Sequence, residues 1–337
     1  MTHDYPDWFV ALMGAPLPRE GQSLTAGSVM LQMRGGLLRD ETCDNAEQIQ
    51  TRSTFAYKWT REETYASDSM RAHARGWLIE RYGALGTLAG LRRFGERPLL
   101  LDAGCGSSYS GELLFGPHLQ HVRYVGADIS RAVDIAVKNF RSRDLPAAFV
   151  QADLMRLPFP DEAFDIVFSE GVLHHTPSTK AALAAIARKA RRGGAVAFYD
   201  YAKKSPLREF SDDFIRAKVV DLDGNAAWEK LMPLTKLGQA LGQLNLTVDV
   251  TESVDLLGIP KGPIDVQRLF YWHVCKMFYR PELSLDEMNH INFDWFVPAF
   301  AHRQSPEEII GWCEEFGLAV EAMNVEDAGV TTIAIRK

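Results

Sequence analysis

Short apolar runs recur along the middle of the chain, and each of them ends in an aspartate or a serine. The five runs occupy residues 98–102, 121–128, 147–153, 164–169 and 194–200. Stretches with helical periodicity separate several of them, at about 130–142 and 178–191. Short buried strands that alternate with helices indicate a parallel sheet covered by helices on both faces. The pattern therefore predicts an α/β protein with a doubly wound sheet.

The pattern differs on either side of this region. Residues 61–94 carry apolar side chains at helical spacing, and residues 1–50 show no clear periodicity. After the fifth run, residues 205–304 are rich in aromatic side chains and are predicted to be mostly helical with loops. This segment interrupts the strand–helix alternation, so we interpret it as an insertion that forms a lid.

The alternation resumes at Ser305. Ser305, Pro306 and Glu308 have the arrangement of a capping box with proline at the first helical position, which predicts a helix ending at Gly317. Two apolar stretches follow and predict two closing strands, at residues 318–325 and 330–335.

Composition narrows the class of protein. Hydrophobic residues make up 46% and charged residues 24% of the 337 residues, a balance typical of soluble globular proteins. The net charge of −7 disfavours a nucleic-acid partner. No apolar run approaches the ~18 residues of a membrane helix, and the first residues lack a signal-peptide pattern. We therefore predict a cytoplasmic protein without a membrane partner.

The four cysteines are scattered along the chain and form no Cys-x-x-Cys pair. They are Cys43, Cys105, Cys275 and Cys313. This spacing predicts neither a zinc site nor a disulfide framework.

The loop at residues 102–106 is the most informative stretch of the chain. Asp102 ends a predicted strand, and Gly104 and Gly106 allow the backbone to turn tightly and to approach a ligand closely. Asp128 ends the next strand, 26 residues after Asp102, where a carboxylate suits the two hydroxyls of a ribose. A dinucleotide site would also need a third glycine, but Ser107 follows Gly106. The ligand is therefore predicted to be a nucleoside without a pyrophosphate.

Four motifs that follow one another along the chain resemble those of a known family. They are Leu-Leu-Leu-Asp-Ala-Gly-Cys-Gly, Val-Gly-Ala-Asp-Ile-Ser, Gln-Ala-Asp-Leu-Met-Arg-Leu-Pro-Phe and Phe-Asp-Ile-Val-Phe-Ser-Glu-Gly-Val-Leu-His-His. Over about residues 98–200 the series resembles the class I methyltransferases that depend on S-adenosyl-L-methionine (SAM). The resemblance implies a Rossmann-like core with a seven-stranded, mostly parallel sheet.

The same resemblance implies roles for individual residues. Gly104 and Gly106 would pass beneath the methionine part of SAM, which Asp102 would orient, and Asp128 would bind the ribose. The remaining implied positions are Ile129 against the adenine, Asp153 as acceptor for its amino group with Leu154 beside it, and Ser169 with Glu170 near the sulfonium. Purely structural readings stay open, because Asp153 could cap a turn and Ile129 could be ordinary core.

A segment before the long helix adds two candidates. Tyr57 and Trp59 lie in a Phe-x-Tyr-x-Trp pattern that resembles a segment folding over the SAM pocket in a subset of the family. They would shield the cofactor or contact its sulfonium through cation–π interaction. The alternative is an aromatic cluster that docks an N-terminal helix. By the resemblance, residues 1–95 form an N-terminal helical extension that covers the cofactor site, residues 96–204 and 305–337 form the core, and residues 205–304 form the lid.

Candidate catalytic groups follow the fourth predicted strand, and one more lies within the N-terminal extension. His174 or His175 could accept a proton from a hydroxyl or an amine, and Tyr57 is a third candidate. Alternatively, one histidine only orients the loop by hydrogen bonding. Adjacent histidines rarely converge on one ion, so no metal site is predicted. Tyr199 and Tyr201 are expected near the cleft.

The leading hypothesis is SAM-dependent methyl transfer to a small molecule by in-line attack on the sulfonium methyl. One alternative is a different SAM reaction, cyclisation or aminocarboxypropyl transfer, which would release methylthioadenosine. A second is a non-catalytic SAM-binding protein. The acceptor atom is not encoded in these motifs. Because exposed and lid-buried aromatic residues look alike in sequence, no oligomeric state is predicted.

Overall fold

The computed structural model describes residues 5–40, 42 and 45–337. The α-helices of this part of the chain are α1 (Asp7–Met13), α2 (Ala46–Thr60), α3 (Asp68–Tyr82), α4 (Leu88–Arg92), α5 (Tyr109–Phe115), α6 (Ala132–Ser142), α7 (Thr179–Lys189), α8 (Pro206–Arg216), α9 (Gly224–Gln243), α10 (Val266–His273), α11 (Leu285–Phe296) and α12 (Pro306–Glu315). The strands are β1 (Ser23–Ala26), β2 (Val29–Arg34), β3 (Leu37–Arg39), β4 (Leu99–Ala103), β5 (Arg123–Asp128), β6 (Ala147–Gln151), β7 (Phe164–Glu170), β8 (Ala190–Tyr201), β9 (Thr247–Val250), β10 (Gly262–Asp265), β11 (Leu318–Val325) and β12 (Gly329–Arg336).

The main sheet confirms the predicted Rossmann-like α/β architecture. Its strand order is β1-β2-β3-β6-β5-β4-β7-β8-β12-β11. Strands β6, β5, β4, β7 and β8 are parallel, whereas β12 is antiparallel to both of its neighbours. The carboxyl ends of the five parallel strands therefore meet at one edge, where ligands of open α/β sheets bind.

The prediction of seven strands is wrong for the described sheet, which has ten. Strands β1, β2 and β3 form an antiparallel meander, and β3 extends the core by pairing in parallel with β6 at Leu38 and Val150. The hydroxyl of Tyr5 ties this addition to the core, since it donates to the carbonyl of Phe149 and accepts from the amide of Leu38. The extension is thus not purely helical as predicted. Its strands have only three to six residues, too few to establish an alternating pattern.

Alternating side chains build two apolar layers, one on each face of the sheet. In β4, Leu99 and Leu101 face one layer while Leu100 faces the other. Both layers are covered by helices, which accounts for the continuous apolar runs of the parallel strands. Helix α12 begins at the predicted capping box, with the Ser305 and Glu308 side chains each bonded to the other residue's backbone.

The segment between β8 and α12 contains four helices and, in addition, a short antiparallel hairpin of β9 and β10. The prediction of a helical insertion therefore missed two short strands. Helix α11 packs against α9 and also against α2 of the N-terminal region. The insertion and the N-terminal helix thereby meet above the carboxyl edge of the sheet.

No helix in the described ranges is long and apolar enough to cross a membrane. Cys105, Cys275 and Cys313 are free thiols, and Cys43 lies outside the described residues.

Candidate active site

A cavity of about 340 Å³ lies at the carboxyl edge of the sheet, beneath α2 and the insertion. Its size falls within the roughly 300–1,000 Å³ of small-molecule sites. Strand ends β4 to β6 contribute one side of the wall, and β7, β8 and the insertion contribute the other. The sequence-predicted residues in the wall are Trp59, Gly104, Gly106, Asp128, Ile129, Asp153, Leu154, Glu170, His175, Tyr199 and Tyr201.

The glycines of the β4 loop are required by both conformation and space. Gly104 and Gly106 have positive φ angles of 84° and 53°, which favour glycine. A Cβ on Gly104 would collide with Val172, and one on Gly106 would lie 2.6 Å from Nε1 of Trp59. The loop backbone therefore passes directly beneath the covering side chains, as a loop that cradles a ligand must.

Two carboxylates at the ends of β5 and β6 face the cavity. The Asp128 carboxylate accepts hydrogen bonds from the Gly106 amide at 2.8 Å and from the backbone and hydroxyl of Ser130. Asp153 accepts from the Met155 amide and, at 2.6 Å, from the side-chain amide of Gln48. These bonds fix both carboxylates, and Oδ2 of Asp128, which accepts one hydrogen bond, keeps further acceptor capacity towards a ligand.

Helix α2 supplies the cover of this side. Trp59 lies over Gly106 and contacts Tyr65, with ring centroids 5.2 Å apart. Lys58 places its ammonium 4.5 Å from the Trp59 ring and 2.5 Å from an oxygen of Asp294 on α11. The predicted aromatic segment is thus part of a helix that covers the cavity.

Four predicted residues lie behind the cavity wall instead of in it. Asp102 is buried and accepts a hydrogen bond from the Tyr124 hydroxyl, while the Ser169 hydroxyl donates to the Ala103 carbonyl. His174 bonds to Asp200 at 3.1 Å.

The fourth, Tyr57, turns away towards α9. Its hydroxyl donates to Asn225 at 2.8 Å, and its ring packs on Phe293.

His174 stacks on Tyr201 with ring centroids 3.6 Å apart, so it positions a wall residue from behind.

Burial shifts the pKa values of several of these groups. It raises the pKa of Glu170 to about 8, although the hydrogen bond from Tyr82 opposes the shift. It also raises the pKa of Asp102 to about 7 and lowers that of His174 to about 3. Near neutral pH, Glu170 therefore keeps its proton and His174 is uncharged.

Two neutral imidazoles belong to the cavity wall. His175 donates from Nδ1 to the Phe300 carbonyl at 2.6 Å, which leaves Nε2 with a lone pair and no partner among the described residues. The Thr64 hydroxyl donates to the Arg61 carbonyl, so it accepts from Nδ1 of His290 at 2.7 Å. His290 consequently also carries its lone pair on Nε2.

Sequence reasoning missed the polar wall residues of α2 and the insertion. They are Gln48, Thr51, Lys58, Lys276, His290 and Asp294. No local motif marks them, because they come from segments outside residues 98–200, the stretch that carries the core motifs. Only the charge of Lys58, next to the predicted aromatic segment, could have been a signal.

The described residues contain no group of three or more His, Cys, Asp or Glu side chains that could hold a metal ion.

Comparison with known proteins identifies the family. Residues 101–198 match the methyltransferase domain family. The chain is 30% identical over 190 residues to malonyl-[acyl-carrier protein] O-methyltransferase of Serratia marcescens, covering 52% of this chain and 69% of that protein. The chain belongs to the class I SAM-dependent methyltransferases, and it is an enzyme of that class.

Two further relatives match over shorter stretches. The tRNA U34 carboxymethyltransferase of Hydrogenovibrio crunogenus is 39% identical over 90 residues, covering 23% of this chain and 25% of that protein. A sterol 24-C-methyltransferase of Gibberella zeae is 32% identical over 112 residues, covering 30% and 27%. These two matches thus span only about a quarter of each relative's length and less than a third of this chain.

Proposed function

We propose that this methyltransferase binds SAM along the ends of β4, β5 and β6 and methylates a small molecule held between β8 and the insertion. The observation that carries the proposal is the single cavity that runs from Asp128 and Asp153 to the aromatic side chains of the insertion. One cavity that adjoins both sets of residues allows a donor and an acceptor to lie in line.

The first side of the cavity is the proposed SAM side. Asp128 would accept from the ribose hydroxyls, and Asp153 from the adenine amino group beside Leu154. Ile129 would pack on the adenine, and the backbone of Gly104 and Gly106 would follow the methionine part. When bound, SAM supplies an activated methyl group on a sulfonium. Asp102, Ser169 and Tyr57 would support this arrangement from behind the wall.

The second side suits an acceptor with a large apolar surface. It is lined by aromatic and aliphatic groups from α3, β8 and the insertion, namely Met70, Trp77, Tyr199, Tyr201, Tyr271, Phe278 and Ile291. The names of two relatives also specify small or carrier-bound acceptors, a malonyl group and a sterol. The name of the tRNA carboxymethyltransferase indicates an RNA acceptor for that relative. The net charge of −7 disfavours the binding of RNA by this chain.

Proton transfer is assigned to the wall imidazoles. In the tautomers described above, His175 and His290 offer an unprotonated Nε2, and burial keeps the pKa of each well below its ordinary value. An acceptor hydroxyl or amine within reach of either nitrogen would lose its proton as the methyl group is transferred. His174, which is sealed behind Tyr201, is assigned a positioning role.

We also propose that the segment 205–304 acts as the lid. It covers the cavity through α10 and α11, and its closure would exclude water from the sulfonium.

Product analysis tests the proposal. The protein is incubated with SAM labelled with ¹³C in the methyl group and with extracts of cells that express it, and the small-molecule and RNA fractions are analysed separately by mass spectrometry. We expect S-adenosylhomocysteine and a metabolite that gains one labelled methyl group. Methylthioadenosine as the nucleoside product, or label transferred to RNA only, would contradict the proposal.

A further inference from the structure

One charged side chain of the cavity wall has no counter-ion among the residues that the structure describes. Lys276 follows α10, is 7% exposed, and lines the cavity on the side of β8. Its ammonium lies 4.6 Å from the centroid of the Trp295 ring, whose neighbour in turn is Tyr201, 4.3 Å away. Among the described residues, no acceptor forms a hydrogen bond or an ion pair with its Nζ.

The two carboxylates near Lys276 are already engaged by other groups. Asp294 accepts from Lys58 with one oxygen and from the Tyr201 hydroxyl, at 2.9 Å, with the other. Asp212 accepts from Arg208 and Trp295 with one oxygen, and its second oxygen accepts the backbone amide of Lys276 itself. The backbone of Lys276 is thus held firmly, but the described part of the chain provides no hydrogen-bond or ion-pair partner for its Nζ.

A buried ammonium without a partner is costly, and proteins retain such groups where a ligand completes them. Lys58, the other lysine of the wall, shows the contrast because it has its partner in Asp294. The acceptor side of the cavity is lined largely by aromatic and aliphatic side chains, including Tyr271 and Phe278. The missing partner of Lys276 therefore has to enter together with an apolar ligand.

We propose that Lys276 binds an acidic group, a carboxylate or an equivalent oxyanion, on an otherwise apolar methyl acceptor. The inference rests on the proposed function and narrows its substrate class to apolar organic acids. The ammonium would pair with the acid while Tyr271 and Phe278 pack on the apolar body. Lys276 is thus a specificity-determining residue of the acceptor side.

The charge balance around Lys276 provides a second signature. Burial lowers the pKa of Lys276 to about 7, with Arg208 and Lys58 adding to the shift and Asp294 and Asp212 opposing it. Lys204 and His174 are further titratable groups in its electrostatic environment. A carboxylate bound next to the amine would raise this pKa again. At about pH 8 the binding of an acid should therefore take up a proton from the buffer.

Calorimetry on the full chain with S-adenosylhomocysteine bound tests the inference. The probes are aryl carboxylates of increasing size, from benzoate to 4-phenylbenzoate, each compared with its uncharged primary amide. We expect at least one acid to bind roughly tenfold or more tightly than its amide. Titrations at about pH 8 in buffers of different ionisation enthalpy should show the proton uptake.

Variants separate the charge of Lys276 from its volume. Lys276→Met should lose at least about tenfold of the acid's affinity and all of the proton uptake. Lys276→Arg should keep most of the affinity but take up no proton, because arginine stays charged. Lys230→Met, at an exposed position of α9, is the control with the same change in net charge.

The outcomes are distinguishable from a failure of the proposed function. If the unmodified protein does not bind S-adenosylhomocysteine, the proposed function fails. If it does bind, the inference is overturned when no acid binds, when amides bind as tightly as acids, or when Lys276→Met retains the acid's affinity. Unchanged folding of the variants is checked by their circular dichroism and by their binding of S-adenosylhomocysteine.

Discussion

At the scale of single residues, the carboxylates that end β4 and β5 have different surroundings. Asp128 accepts three hydrogen bonds and still reaches the cavity, whereas Asp102 is sealed behind the loop and accepts from Tyr124. Burial raises the pKa of Asp102 to about 7, so Asp102 is partly protonated near neutral pH. Asp102 therefore stabilises the structure behind the loop through Tyr124, and Asp128 is the carboxylate of the two that lines the cavity.

The first prediction concerns Asp128. We expect Asp128→Ala to weaken the binding of S-adenosylhomocysteine by roughly 1–3 kcal/mol, the range for a lost hydrogen-bonded charged acceptor. Calorimetry measures the change. Asp249→Ala, at an exposed position of β9, is the control. An affinity of Asp128→Ala equal to that of the control would refute the ribose role.

A second prediction concerns the protonation of His290. Burial, together with Lys58 and Arg61, lowers its pKa well below the ordinary value, and Asp294 only partly opposes this. We therefore expect ¹⁵N NMR to show a neutral ring protonated on Nδ1 between about pH 6 and pH 8.

The matched variant for this experiment is Thr64→Val, which removes the hydroxyl that holds Nδ1 and leaves the side-chain volume nearly unchanged. We expect the variant to lose the preference for the tautomer protonated on Nδ1, while the His290 ring stays neutral. A proton on Nε2 in the unmodified protein would rule out His290 as the proton acceptor. A titration midpoint within that pH range would contradict the lowering of its pKa by burial.

At the scale of elements, hydrogen bonds and an ion pair join α2 to the insertion, residues 205–304. The Gln50 amide donates to the carbonyls of Val220 and Val297, and its oxygen accepts from the Ala299 amide at 2.8 Å. Lys58 and Asp294 form a second connection between α2 and α11. Under the proposed lid role, these contacts hold the insertion against α2, so weakening them should ease ligand exchange.

The third prediction follows from this fastening. Gln50→Ala leaves two carbonyls and one amide without their partners, so local opening should become easier by about 1–3 kcal/mol. We expect faster hydrogen exchange in residues 295–300 and faster release of S-adenosylhomocysteine, measured by mass spectrometry and stopped flow. Gln243→Ala, at an exposed position of α9, serves as the control. Exchange rates that match the control would show that Gln50 does not fasten the lid.

The elements differ in how far sequence could predict them. The five parallel strands were recognisable because they are buried on both faces, and α12 because its capping box is local. Strand β5 begins at Arg123, two residues later than predicted, since His121 still belongs to a 3₁₀ turn. The meander β1 to β3 depends on pairing with β6, a contact between distant parts of the chain that leaves no local pattern.

At the scale of the whole molecule, the site is assembled from four parts of the chain. They are α2, α3, the strand ends of the core and the insertion. The β4, β5 and β6 loops carry motifs of the family, so their cavity-facing residues could be predicted from sequence. The acceptor side combines α3, β8 and the lid, and its polar groups, such as Lys276 and His290, become neighbours only in the folded chain. The cofactor side could therefore be predicted from the sequence, whereas the proposed acceptor rests on contacts that form only in the folded chain.

The central claim is that one cavity divides into a SAM side and an acceptor side. A crystal structure of the protein with S-adenosylhomocysteine tests it most directly. We expect the ribose on Asp128, the adenine beside Asp153, and the sulfur facing the open space bounded by Tyr201 and Lys276. A nucleoside bound elsewhere, or one that fills the space next to Lys276, would contradict the account.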